Sequence, residues 1–144
     1  MAAKRIVVGI DGSDESSLAL QKAADIAHAM HAELKIVYVV PRHPPPGPAA
    51  YAISDEERRD LGEHDHAAAL LAQAERTCRR PGLDVITETE TGAVAETLAD
   101  LADEGRADLV VVGHRGHGAV RRALLGSVAD RLMQICTRPV LVVR

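Results

Sequence analysis

Gly113, Gly116, Gly126 and Ser127 are spaced as Gly-x2-Gly-x9-Gly-Ser and follow directly on the apolar run Leu109-Val110-Val111-Val112. A buried strand therefore ends where a glycine-rich loop, Gly113-His114-Arg115-Gly116-His117-Gly118, begins, and Gly126-Ser127 reads as a helix start. Strand, loop and helix N-terminus in that order can hold phosphates. Glycines let the backbone approach closely and take up positive φ, and the free N–H groups and dipole of a helix start favour an anion. No Gly-Lys-Ser/Thr follows, so this is not a Walker loop, and no GxGxxG fingerprint stands behind the first strand. Glycines after a strand can equally make a plain turn. Two features favour the anion. Ser127 can cap the helix or contact a ligand. Residues 113–144 also hold six arginines against the single Asp130, a net +5, whereas the whole chain is −4 and residues 1–112 carry −9. A basic end on an acidic chain suits a small polyanion better than a nucleic-acid tract.

The elements that must position this loop alternate along the chain. Ile6–Ile10 reads as a buried strand, followed by Gly12-Ser13 and a helix with Leu18, Ala23, Ile26, Ala27 and Met30 on one face. Leu34–Val40 is a second strand, and the loop from Pro41 to Pro48 contains Pro44-Pro45-Pro46-Gly47. Ser54-Asp55-Glu56-Glu57 has the form of a capping box, opening a helix that runs to Arg80 with Leu61, Ala68, Leu71, Ala74 and Cys78 inward. Val85–Thr89 is a weaker, more polar strand suited to a place near an edge. A helical stripe of Val94, Leu98, Leu101 and Ala102 ends near Gly105. Leu109–Val112, a helix from Gly126 to Cys136 and Val140–Val143 complete a β-α-β-α-β-α-β-α-β order. That order predicts a parallel sheet covered on both faces. Ligands bind such sheets at the carboxyl ends of the strands, at a switch point. Asp11 and Gly113 stand at two such ends beside glycines. The first and fourth strands are the most continuously apolar, so they are expected side by side at the centre.

The 144 residues suffice for one domain with a real core, expected to span 1–144. Phe and Trp are absent and Tyr38 and Tyr51 are the aromatics, which suits aliphatic α/β layers and argues against base-stacking platforms for single-stranded nucleic acid. Cys78 and Cys136 form no disulfide framework and are expected to pack as small apolar residues. No secretory signal or membrane-length apolar stretch is visible, so the chain reads as a soluble cytoplasmic protein.

Taken together, the chain resembles a universal stress protein domain over essentially its whole length. The resemblance rests on Arg5-Ile6-Val7-Val8-Gly9-Ile10-Asp11-Gly12-Ser13, Val37-Tyr38-Val39-Val40, Thr91-Gly92, Asp108-Leu109-Val110-Val111-Val112-Gly113, the Gly-x2-Gly-x9-Gly-Ser motif and Pro139-Val140-Leu141-Val142-Val143-Arg144. It implies a Rossmann-like α/β fold, an open parallel sheet of five strands in order 3-2-1-4-5. In the family's ATP-binding branch, resemblance further implies that Gly113, Gly116, Gly126 and Ser127 hold the phosphates of ATP, that Asp11 lines the adenosine end and that Val39 contacts adenine. Mg²⁺ would arrive with the nucleotide. The chain departs from the family's common small or apolar residues by placing His114 and His117 in the loop.

Each residue also has a plainer reading. Asp11 can be a turn-former before Gly12, Ser127 an ordinary N-cap, Val39 plain core, and Arg121 and Arg122 a solvated basic patch. His28, His31, His43, His64 and His66 show no ligand geometry, since i and i+2 on a helix face apart. A catalytic reading is weak, because the loop has no lysine and no acidic pair is spaced for two metals. The expected function is an ATP-binding, nucleotide-dependent stress-response module, homodimeric through 140–143, with an unidentified protein partner. No dedicated catalytic activity is expected beyond slow ATP hydrolysis, and neither nucleic acid nor membrane as partner. The alternatives are a nucleotide hydrolase or nucleotidyl transferase of the same fold, or a nucleotide-free interaction domain.

Overall fold

The computed structural model describes residues 3–42, 55–115 and 125–144. Its elements are β1 (Arg5–Ile10), α1 (Asp14–Met30), β2 (Glu33–Pro41), α2 (Asp55–Cys78), β3 (Val85–Gly92), α3 (Val94–Glu104), β4 (Leu109–Gly113), α4 (Ser127–Ile135) and β5 (Val140–Val143). The five strands form one sheet in the order β3-β2-β1-β4-β5, with every pairing parallel. The expected fold is the one observed, with β1 at the centre and β4 beside it.

Period-two alternation divides the central strands between two cores. Ile6, Val8, Leu34, Ile36 and Val111 face α1 and α2. Val7, Val37, Val39, Val110 and Val112 face α3 and α4, meeting Leu98 and Leu132. With no Phe or Trp to fill space, the helices come close to the sheet on small residues: α1 buries Ser16, Ala19, Leu20, Ala23, Ala24 and Ala27. Leu18 is not part of that face. It is 47% exposed, because it lies half a turn round the helix from Ala27, and the alanine stripe sets the contact. In α2 the inward residue is Ala67, while Ala68 is exposed; Leu71, Ala74 and Cys78 are buried as expected. Ser54 and the side chain of Leu61 lie outside the described residues.

β3 is an edge strand and runs on to Gly92, three residues beyond the expected Thr89. Its register continues through Pro41↔Gly92, so β2 carries it along. Two of the histidines serve the scaffold. His31 ends α1 in a left-handed conformation (φ 53°), and the His28 ring Nε2 lies 3.2 Å from the Pro81 carbonyl oxygen. No described helix is long and apolar enough to cross a membrane.

Candidate functional site

A cleft of about 330 Å³ opens at the carboxyl ends of β1, β2 and β4. Asp11, Val39, Gly113, Gly126 and Ser127 all line it. Gly116 lies outside the described residues, as do His117, Arg121 and Arg122. One side is apolar, with Val37, Val39, Val94, Leu98 and Val112. These side chains form part of the core against α3 and α4. The cleft is thus a gap in a packed layer, held open by rigid elements.

Two helix starts stand near it, and they are satisfied differently. At α1, Ser13 is the N-cap and its Oγ accepts from the Ser16 N–H at 3.2 Å. Asp14 and Glu15 place carboxylates in the first turn, where they complement the dipole. At α4 the N-cap is Gly126, with no side chain to give, and no side-chain cap is made. Ser127 is therefore the first helical residue and not the cap. The amides of Ser127, Val128 and Ala129 have no carbonyl within the helix to meet, and all three residues line the cleft.

The described glycines of the motif owe their type to packing. Neither Gly113 nor Gly126 has a positive φ, contrary to the expectation for this loop. A Cβ on Gly113 would stand 2.8 Å from the Glu15 carbonyl carbon, so glycine lets the first turn of α1 lie on the end of β4. A Cβ on Gly126 would stand 3.1 Å from both the Arg115 Cα and the His114 carbonyl oxygen. The Gly126 N–H donates to that oxygen at 2.7 Å, while the His114 N–H donates to the Val143 carbonyl at 2.7 Å. His114 thus ties α4 to β5 through its backbone, and its ring is not part of the cleft wall. Gly126→Val would strike the chain's own backbone before it met any ligand.

Asp11 fills its turn role and lines the cleft at once. Its Oδ1 accepts from the Ser13 N–H at 2.9 Å and the Ser13 hydroxyl at 2.5 Å, closing a turn at Gly12 (φ 84°). Beside it, Tyr38 lines the cleft and meets His66 edge-on at 6.3 Å. Burial, with smaller contributions from Glu63 and Asp11, raises the Tyr38 phenol above its ordinary value. The raised group stabilises the fold fully below the ordinary tyrosine range, and this contribution is lost as pH climbs through the folded-state value. An ultraviolet titration should therefore show a late-ionising tyrosine in the native protein that Tyr38→Phe removes. A single transition at the ordinary position in both proteins would refute it.

Sequence reasoning assigned no site role to Tyr38, Ser16, Arg115, Val94 or Leu98, all of which line the cleft. Strand and helix periodicity assigns Val94 and Leu98 to the core but cannot show that the core is open beside them. The basic end also divides. Arg131 pairs with Glu96 at 2.9 Å and Arg138 with Asp103 at 3.2 Å, both on α3, and the Arg131 hydrogen bond holds the Glu96 carboxyl below its ordinary range. Arg115 is the cation that lines the cleft among the described residues.

A model of the universal stress protein family matches residues 2–144. The chain belongs to the universal stress protein family. Universal stress protein MJ0531 of Methanocaldococcus jannaschii is 33% identical over 144 residues, covering 98% of this chain and 82% of the relative. Among solved structures, the universal stress protein UspA from Lactobacillus plantarum superposes with a TM-score of 0.87 at 27% identity, covering 100% of both chains. A universal stress protein crystallised in complex with cAMP superposes with a TM-score of 0.71 at 32% identity, covering 100% of this chain and 99% of that one. In this universal stress protein domain the cleft lies at the switch point of the sheet, between the carboxyl ends of β1 and β4.

Proposed function

We propose that this universal stress protein domain binds an adenine nucleotide in the cleft, with ATP as the expected ligand, and acts as a cytoplasmic, nucleotide-dependent stress-response module. The observation that carries this is the bare first turn of α4: three amides on a helix start, no side-chain cap, and an apolar slot alongside. The slot suits a flat base, with Val39 against it, and the amides suit phosphate. Asp11 would face the nucleoside end, while Gly113, Gly116, Gly126 and Ser127 would frame the phosphates. That a protein of this fold, 32% identical, was crystallised in complex with cAMP supports a nucleotide as the ligand class. Mg²⁺, if it accompanies the nucleotide, would draw its ligands from phosphate oxygens and water, since the described carboxylate lining the cleft is Asp11 at the other end. Mass spectrometry of the ligand that co-purifies with native protein, followed by calorimetry with ATP, AMP and cAMP, tests the reading. Protein that carries no nucleotide and binds none of the three overturns it, and turnover assays with Mg²⁺ separate a binding module from a hydrolase.

The same reading includes a homodimer through β5. This strand ends the sheet, with all four residues half-buried. Val110 N–H donates to the Pro139 carbonyl and His114 N–H to that of Val143, so the backbone groups of Val140 and Val142 face away from β4. An edge of that kind invites pairing. Val142→Asp would disturb the core as well, because the Val142 side chain packs against it. Val142→Pro removes an outward N–H and leaves the pairing with β4 intact. Light scattering at micromolar concentration should show a dimer for the wild type and a shift towards monomer for Val142→Pro. A monomeric wild type refutes the interface.

A further inference from the structure

Arg115 abuts the start of α4, its Cα 3.1 Å from where a Cβ on Gly126 would stand. Arg115 lines the cleft with Ser127, Val128 and Ala129. Its Nε is shut off from solvent and meets no hydrogen-bond partner among the described residues. Arg115 as a whole is half-buried, so its charge is only partly desolvated, and an anion beside the guanidinium would offset that part of the cost. Among the described residues Arg131, one turn along α4, is committed to Glu96. Resting on the nucleotide reading above, we infer that Arg115 is the specificity-determining residue for phosphate. Its guanidinium and the α4 amides converge on the phosphate oxygens, so the site separates nucleotides from the bare nucleoside. A planar fork engages two oxygens of one phosphate, where a lysine would offer only a point charge.

Calorimetry of wild type, Arg115→Gln and Arg115→Lys against ATP, AMP and adenosine tests this. Arg115→Gln should weaken ATP and AMP at least about tenfold and leave adenosine unchanged, with Arg115→Lys recovering part of the loss. Nucleotide affinity should also fall less steeply with salt in Arg115→Gln than in wild type. An equal loss for all three ligands would make Arg115 a scaffold for the loop, and no loss for any would leave the phosphate to the amides alone; either overturns the inference. If circular dichroism shows that Arg115→Gln does not fold, Arg115→Lys decides, and wild-type affinity for ATP and AMP in that variant overturns it. A wild type that binds none of the ligands overturns the nucleotide reading and this inference with it, whereas wild-type binding untouched by substitution overturns this inference alone.

Discussion

Ser127→Asp is expected to weaken ATP binding at least about tenfold, about 1.4 kcal/mol, without loss of fold. The Ser127 side chain is exposed at the first position of α4 and lines the cleft. A carboxylate there favours the helix, because it complements the dipole, and opposes a phosphate brought to the same amides. The two effects have opposite signs, so circular dichroism should be unchanged while calorimetry shows the loss. The control belongs at the other helix start. Ser13→Asp is unsuitable, because Ser13 is buried with its hydroxyl 2.5 Å from the Asp11 carboxylate, and a second carboxylate at that distance would strain the turn. Asp14→Asn removes an exposed charge from the first turn of α1 without touching that network. It should leave ATP affinity unchanged. Tighter binding in Asp14→Asn together with an indifferent Ser127→Asp would move the phosphates to α1.

Gly113→Ala is expected to destabilise the protein by about 1–3 kcal/mol, the usual cost of forcing a methyl group into filled space. The new Cβ would lie 2.8 Å from the Glu15 carbonyl carbon and 2.9 Å from its oxygen. Both are backbone atoms in the first turn of α1, so no side-chain rotation relieves the contact, and the helix must lift from the sheet. Chemical denaturation without ligand should show a lower midpoint at unchanged slope. Unaltered stability with lost nucleotide binding would mean that the glycine serves ligand approach and not helix–sheet contact.

The strand–helix alternation, the central place of the first and fourth strands and the polar edge strand were legible in the sequence, while the full order 3-2-1-4-5 came from the resemblance to the family. Apolar periodicity reports burial, and parallel α/β layers leave few arrangements that bury those runs on both faces. Types and spacing pointed to Asp11, Gly113, Gly126 and Ser127 and the family resemblance to Val39, and all five line one cleft. Why each residue is there was decided only in three dimensions. Gly113 is a glycine because Glu15, distant in sequence, passes over it. The six arginines read as one basic end, yet Arg131 and Arg138 meet acids of α3 while Arg115 reaches the cleft. Charge counts carry no information about partners brought together by folding. Leu18 followed a hydrophobic label outward, because a helix buries the face that fits closest and in α1 that face is alanine. Capping likewise depends on backbone placement: Ser13 caps α1, whereas Ser127 falls one residue inside α4, which has no side-chain cap. That one-residue difference belongs to the tertiary structure, because the Gly126 N–H is drawn to the His114 carbonyl across the mouth of the loop.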